Sequence, residues 1–223
     1  MQVITIANWL NTTFSGFDHF ILSMLHSFAT LTGGYLNWLF RFISLFADKG
    51  LFLILFSIFL MLFKKTRKVG ICVFGAIGCG AIITNFILKD MIARPRPFMG
   101  EILEYKEWWK FAGSVLEDDF SFPSGHATAI SASMMSIFFF SKSNKKYLCI
   151  LFMILMGISR NYLMVHYPSD IIGGFISGLI ASVIAFCITK LIYYVLNKYD
   201  NKLFDFVKNF DIVNFIKSKK VNN

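Results

Sequence analysis

Histidine and carboxylate side chains occur at the ends of otherwise apolar segments, where ionisable groups are costly. Asp170 follows His166 by four residues, with Pro168 between them. A carboxylate beside one ring nitrogen fixes the tautomer of an imidazole and leaves the other nitrogen able to act as a nucleophile. A second histidine, His126, can protonate a leaving oxygen. These residue types predict nucleophilic chemistry with acid assistance.

Cationic residues accompany the two histidines in separate parts of the chain: Lys89, Arg94, Arg96 and Arg160. Guanidinium and ammonium groups suit the equatorial oxygens of a phosphoryl group, whose transfer depends on positioning and charge stabilisation. Cations that only snorkel to an interface would not be accompanied by histidine and aspartate. The set therefore predicts a site for a phosphate-like anion.

The segment Phe122-Pro-Ser-Gly-His126 predicts a helix start. Pro123 suits the first helical position, and Gly125 permits a close backbone approach. Free N–H groups at a helix start can cradle an anion. Ser124 is either part of this cradle or an ordinary N-terminal cap.

The composition is that of a membrane protein. Of 223 residues, 56% are apolar and 16% are charged, and the mean hydropathy is +0.62. Soluble domains carry about 25% charged residues, so a soluble globule, a disordered chain and a disulfide-stapled domain are excluded. The net charge of +9 clusters between apolar segments and in the tail, which favours membrane anchoring over nucleic-acid binding. The four cysteines lie in apolar segments and predict packing, not a metal site.

Five segments are long enough, alone or with their flanks, to form membrane-spanning helices, which need about 20 apolar residues. A further segment, 17–33, carries Asp18 and is interpreted as an interfacial helix, with a sixth span as the alternative. The predicted fold is an all-α integral membrane bundle of five to six transmembrane helices. The five spans are 50–63 with a backward extension to 42–47, 69–88, 120–141, 147–165 and 171–189.

Basic residues in short loops predict the orientation. The segments 64–68 and 141–146 and the tail are rich in lysine, whereas the loop 93–122 holds six acidic residues against four basic ones. The basic segments are expected to face the cytoplasm, and the loop 93–122 and the turn 166–170 to face outward. This places the active site at the outer face of a multi-pass plasma-membrane protein. One domain is expected over 1–223: an N-terminal part (1–47), a transmembrane catalytic core (48–198) and a basic amphipathic tail (199–223).

Three motifs together resemble the signature of the type 2 phosphatidic acid phosphatase superfamily. They are Lys89-DMIARP-Arg96-Pro97, Pro123-Ser-Gly-His126 and Ser159-Arg160-NYLMV-His166-YPS-Asp170. The resemblance implies that His166 attacks phosphorus, that Asp170 orients His166, and that His126 serves as general acid and then as general base. It also implies that the phosphoryl oxygens are held by Lys89, Arg96, Ser124, Gly125 and Arg160.

Members of this superfamily need no metal or other cofactor, so none is expected. Arg94 lies outside the signature and is interpreted as a supporting or headgroup-binding residue, with an ordinary interfacial cation as the alternative. The resemblance implies a lipid phosphatase, with undecaprenyl diphosphate as the favoured substrate, then phosphatidylglycerophosphate or phosphatidic acid. A lipid phosphotransferase, a non-catalytic lipid-phosphate binding or transport protein and a vanadium haloperoxidase are the alternatives. No oligomeric state is predicted.

Overall fold

The computed structural model describes residues 5–199 and 201–221, and the regular structure within them is entirely helical. A π-helical segment, Ile82–Leu88, joins two of the helices into one continuous run. The helices are α1 (Ile6–Thr13), α2 (Ser15–Leu31), α3 (Asn37–Leu45), α4 (Leu51–Met61), α5 (Arg67–Ala81), α6 (Lys89–Ile92), α7 (Leu103–Phe111), α8 (Gly125–Phe140), α9 (Leu148–Tyr162), α10 (Pro168–Lys198), α11 (Lys202–Asn209) and α12 (Ile212–Val221).

The centre of the bundle is formed by α5, α8 and α10, which pack against one another. Small residues allow α10 to approach α8 closely. A side chain at Gly178 would place its Cβ 2.5 Å from the carbonyl oxygen of Thr128, and one at Gly174 would meet the Ser124 carbonyl at 2.7 Å. This close approach carries the start of α10 to the start of α8, where the Ser124 amide donates a hydrogen bond to the Asp170 carbonyl at 3.1 Å.

Three helical segments are long and apolar enough to cross a membrane: Asn37–Met61, Arg67–Met99 and Pro168–Lys198. They contain the predicted spans 69–88 and 171–189 and the predicted extension of 50–63 back through 42–47. That extension bends at Lys49 and Gly50, which both adopt positive φ angles, 47° and 67°. The all-α fold is thus confirmed, together with its membrane-spanning character.

The remaining two predicted spans are shorter helices than the sequence suggested. Of the predicted segment 120–141, only Gly125–Phe140 is α-helical, and α9 ends at Tyr162. The assignment of Pro123 to the first helical position is wrong. Ser124 is the N-cap and its hydroxyl accepts a hydrogen bond from the Ala127 amide, so Gly125 is the first helical residue. With Pro123 at the first position the N-cap would be Phe122, whose side chain cannot accept a hydrogen bond, whereas the Ser124 hydroxyl satisfies the Ala127 amide.

Charged segments gather at the two ends of the bundle. At one end, Lys64 and Arg67 hydrogen-bond to residues 207–211 of the tail. Lys89, Asp119 and His166 meet at the other end and line one cavity. Arg67 and Lys89 are joined by the continuous helical run through α5, and 22 residues of helix rise about 30 Å, the thickness of a hydrocarbon core.

The two terminal parts pack onto the bundle. The α2 helix lies against α9 and α10, with Asp18, Leu22 and Ala29 buried. The predicted tail 199–223 contains α11 and α12, although its residues 200, 222 and 223 and the side chains of 218–221 lie outside the description.

Candidate active site

The first motif leaves its helix in an extended conformation. Ala93 adopts a left-handed conformation, φ 51°, and ends α6. Arg94 and Arg96 each precede a proline, which disfavours the helical region for the residue before it. Arg96 accordingly has φ −73° and ψ 158°. The chain therefore runs past the N-terminal ends of α8 and α10. The guanidinium groups of Arg94 and Arg96 are buried there.

His166 lies in the turn between α9 and α10, beside Asp170 in the first turn of α10. Nδ1 of His166 is 3.6 Å from Oδ2 of Asp170. The Ser121 hydroxyl donates to the same Oδ2 at 2.5 Å and lies 3.4 Å from Nδ1 of His166. Asp170 also accepts from the Tyr167 amide at 2.8 Å, which completes a capping box. Both His166 and Asp170 are almost completely buried.

The partners of the two ring nitrogens of His166 define its tautomer. Nδ1 faces a carboxylate and a hydroxyl, which favours a proton on Nδ1. Nε2 lies 3.3 Å from Nη1 of Arg96. A guanidinium has donors and no acceptor, so Nε2 must offer its lone pair. The imidazole is therefore arranged with Nδ1–H towards Asp170 and an unprotonated Nε2 towards Arg96.

The electrostatics of the turn keep this imidazole neutral. Burial, followed by the nearby cations Arg96, Arg160 and Lys89, lowers the pKa of His166 well below its ordinary value. A neutral imidazole retains the Nε2 lone pair that nucleophilic attack requires. The Asn161 amide holds the main chain of the turn by donating to the His166 carbonyl at 2.9 Å.

His126 is the second residue of α8 and lines the same cavity as His166. The cavity has a volume of about 310 Å³, and Lys89, Arg96 and Gly125 also line it. A side chain at Gly125 would place its Cβ 4.0 Å from Nζ of Lys89. Glycine thus leaves the space between the ammonium group and the helix start open.

Two acidic side chains of the loop before α8 contact the predicted anion-binding cations. Asp119 pairs with Lys89 and Arg96, and Glu117 pairs with Arg160. Burial alone would raise the pKa of Asp119, but hydrogen bonds from Lys89 and Arg96 reverse the direction and hold it below its usual value. Carboxylate oxygens thus contact the cations that the sequence assigns to a phosphoryl group.

Arg160 and Ser124 lie beside the cavity and do not line it. Arg160 is 1% exposed and donates to the Ser44 hydroxyl at 2.6 Å. Among the side chains of residues 5–199 and 201–217, its Nε is the one buried nitrogen or oxygen that has no hydrogen-bond partner. Ser124 caps α8, which accounts for its side chain without a phosphate contact.

The structure adds residues that sequence reasoning missed. Ser121 bridges His166 and Asp170, and its position two residues before Pro123 was the only sequence signal for it. Asp18 was treated only as a charge that weakens a span, yet it is buried against Ser169 beside the site. Arg94 is 1% exposed and pairs with Asp170 at 2.6 Å, so it is not an ordinary interfacial cation.

In the part of the chain that the structure describes, no three His, Cys, Asp or Glu side chains are grouped so that they could hold a metal ion. The four cysteines are free thiols. His19 and His26, outside the site, contact Tyr105 and Trp108 respectively.

Comparison with known proteins shows which family the chain is similar to. The model of the PAP2 superfamily matches residues 68–194. An undecaprenyl-diphosphatase of Sulfolobus acidocaldarius is 32% identical over 123 residues, 53% of this chain and 54% of the relative. Phosphatidylglycerophosphatase B of Bacillus subtilis is 31% identical over 131 residues, 54% of this chain and 53% of the relative. The chain thus spans about half the length of these two curated relatives.

A solved structure shares the fold. The crystal structure of a transmembrane PAP2-type phosphatidylglycerolphosphate phosphatase from Bacillus subtilis superposes with a TM-score of 0.62 at 23% identity, covering 84% of this chain and 92% of that one. The matched residues 68–194 contain all three motifs. The resemblance inferred from those motifs is confirmed, and the chain belongs to the PAP2 superfamily.

Proposed function

We propose that the protein is a metal-independent lipid phosphatase that works through a phosphohistidine on Nε2 of His166. One observation carries this proposal: a neutral, buried imidazole directs Nδ1–H towards Asp170 and a free Nε2 towards the cationic wall of a cavity. This is the arrangement that a nucleophilic imidazole needs.

In the first step, the Nε2 lone pair attacks phosphorus while Lys89 and Arg96 hold the non-bridging oxygens. Arg160 lies beside the cavity with its Nε unpartnered, and we propose that it becomes a further donor to these oxygens when substrate binds. The bond from phosphorus to the lipid-side oxygen breaks, and protonated His126 gives its proton to that oxygen. The imidazole gains positive charge, which Asp170 stabilises through Nδ1–H.

In the second step, neutral His126 takes a proton from water, and the resulting hydroxide oxygen attacks phosphorus. The phosphorus–nitrogen bond breaks and its electron pair returns to Nε2 of His166. Inorganic phosphate leaves, and the free enzyme is regenerated. For a lipid diphosphate, the first leaving group is the lipid monophosphate.

The substrate proposed is a membrane lipid phosphate or diphosphate, with undecaprenyl diphosphate first and phosphatidylglycerophosphate or phosphatidic acid next. The cavity of about 310 Å³ accommodates a phosphorylated headgroup, and the lipid chain would remain in the bilayer. The names of the two curated relatives, an undecaprenyl-diphosphatase and a phosphatidylglycerophosphatase, support these choices.

The protein is proposed to lie in the plasma membrane with five or six spans and with the site facing outward. The lysine-rich segment 64–68 and the tail share one end of the bundle, which is the end that the positive-inside rule assigns to the cytoplasm. His166 lies at the opposite end. The shorter α8 and α9 would complete the five spans with their flanking residues.

The activity is tested by phosphate release from purified protein in detergent with excess chelator, using the three lipids in parallel and His166→Ala as the inactive variant. Release that survives chelation and is lost in the variant is expected. Equal release by the variant would contradict the nucleophile. Transfer of the phosphate to an added acceptor lipid in place of water would identify a phosphotransferase.

Orientation is tested with a cysteine introduced at one of two exposed serines, Ser114 near the site or Ser143 in the lysine-rich loop, in a background in which the four native cysteines are replaced by serine or alanine. An impermeant thiol reagent on intact cells is expected to label position 114 and to spare position 143. The reverse pattern would place the site on the cytoplasmic side.

A further inference from the structure

The guanidinium of Arg94 joins Asp170 to a helix of the N-terminal part. Its Nη1 donates to Oδ1 of Asp170 at 2.6 Å, and its Nη2 donates to Oδ2 of Asp18 at 2.9 Å. Nε donates to the Asn11 side chain at 2.8 Å, and the ring of Tyr167 lies 3.9 Å from the guanidinium carbon. Each nitrogen of the fork therefore has a defined acceptor, and the guanidinium is fully buried.

Both carboxylate oxygens of Asp18 also accept hydrogen bonds from the start of α10. Its Oδ1 accepts from the Ser169 amide at 2.8 Å, and its Oδ2 accepts from the Ser169 hydroxyl at 2.7 Å. Ser169 directly precedes Asp170 and also accepts from Arg94 at 2.7 Å. The first turn of α10 is therefore fixed to α2 directly through Ser169 and indirectly through the Arg94 bridge between Asp18 and Asp170.

The charges of this cluster explain why a second carboxylate is useful. Arg94 alone would neutralise Asp170 and would weaken its field at His166. With Asp18 added, two carboxylates share one guanidinium, and the buried group keeps a net charge of about −1. The positive charge that develops on the His166 ring then meets a net negative cluster through Oδ2 of Asp170, the oxygen that faces Nδ1.

We propose that Arg94 and Asp18 are positioning residues that hold Asp170 against His166 and maintain its negative charge. This rests on the phosphatase function proposed above. Residue 18 lies outside the segment 68–194 that matches the family, so the N-terminal part becomes a component of the catalytic machinery.

The test measures kcat and KM for phosphate release by Asp18→Asn and Arg94→Lys, with Asp90→Asn as the matched control because Asp90 is exposed. Both positioning variants are expected to lose about 10- to 100-fold in kcat, with KM within twofold, because the cations that bind the anion are unchanged. Lysine keeps the charge of Arg94 but cannot reach three acceptors at once. The control is expected to retain the kcat and KM of the unmodified protein.

Asp18→Asn is also combined with Asp170→Asn. If Asp18 acts through Asp170, its effect is expected to fall below twofold in that background. Additive losses would overturn the proposal, as would an unchanged kcat in Asp18→Asn alone.

A third variant, Asn11→Ala, separates an effect on catalysis from a loss of folding. It removes the exposed acceptor of Arg94 and is expected to lower kcat about threefold without a change in Tm. If the loss in kcat equals the loss of folded protein in Asp18→Asn, Arg94→Lys and Asn11→Ala, the proposal is overturned. An inactive unmodified protein on all three lipids would refute the phosphatase function, whereas an active one with a normal Asp18→Asn variant would refute only the positioning role.

Discussion

The two ends of the bundle both carry many basic residues but use them differently. At the site end, Lys89, Arg96 and Arg160 are 1–6% exposed and converge on carboxylates around one cavity. At the opposite end, Lys64 is exposed and meets the tail, and Lys68 lies 4.4 Å from the centre of the Tyr193 ring. Burial is costly for a charge unless a partner or a ligand compensates it. Arg67 at the opposite end is buried too, but it donates to main-chain carbonyls of the tail. Convergence on carboxylates around one cavity, more than the number or the burial of the cations, therefore distinguishes the two ends.

Removal of one cation from each end tests this difference most strongly. Arg96→Gln is expected to lower kcat/KM by about 10²- to 10³-fold, because a buried donor to the phosphoryl oxygens is lost. Lys64→Gln, the matched variant at the exposed end, is expected to change it less than twofold. Similar losses in both variants, measured by phosphate release, would show that the two ends do not differ in this way.

The acidic loop before α8 provides a second test of the site end. Asp119 pairs with the two cations that are assigned to the phosphoryl group, so the substrate must compete with its carboxylate. Asp119→Asn is expected to lower KM about three- to tenfold and to strengthen inhibition by inorganic phosphate. Asp205→Asn in the tail, whose partner Lys208 lies away from the site, is the control. An unchanged or raised KM in Asp119→Asn would show that the carboxylate does not compete.

The smallest effect concerns pH. In the proposed mechanism His166 acts when it is neutral. Burial and the surrounding cations Arg96, Arg160 and Lys89 lower its pKa, and the Asp119 carboxylate opposes this shift. Activity is therefore lost as the pH falls through this lowered pKa, and not through the ordinary histidine value of about 6.5. Between pH 7.5 and 6.5, kcat/KM is therefore expected not to fall, because His166 stays neutral and the proposed general acid His126 gains protons as the pH is lowered.

The same shift has a consequence for stability. Just below pH 6.5 the unfolded chain binds a proton at His166 that the folded protein does not bind, so acidification is expected to lower the free energy of unfolding. A titration of kcat/KM with its acid limb centred at or above pH 6.5 would contradict the neutral, buried state of His166.

The sequence predicted those features that depend on local spacing. The four-residue separation of His166 and Asp170 brings His166, in the turn before α10, beside Asp170 in the first turn of that helix. The length of apolar runs predicted the helices at 69–88 and 171–189 because a hydrocarbon core demands that length. Gly174 and Gly178, four positions apart on α10, lie where that helix packs closely on α8.

Features that depend on contacts distant in sequence were not predictable. Arg94 lies 76 positions from both Asp18 and Asp170, and no periodicity relates these three residues. Ser121 reaches Asp170 only because the chain before α8 folds back over the start of α10. The start of α8 was misplaced because proline and serine both favour helix N-termini, and only the hydrogen bond of the Ser124 cap distinguishes them.

The proposed mechanism requires a covalent phosphohistidine at His166, and this intermediate can be trapped. Protein is mixed with lipid diphosphate labelled in its terminal phosphate, quenched in alkali, in which phosphohistidine survives, and mapped by mass spectrometry. Label is expected on His166, with more of it in His126→Gln, in which hydrolysis of the intermediate is slowed, and none in His166→Ala. Turnover with no label on His166 at any quench time, or with label on another residue, would contradict it.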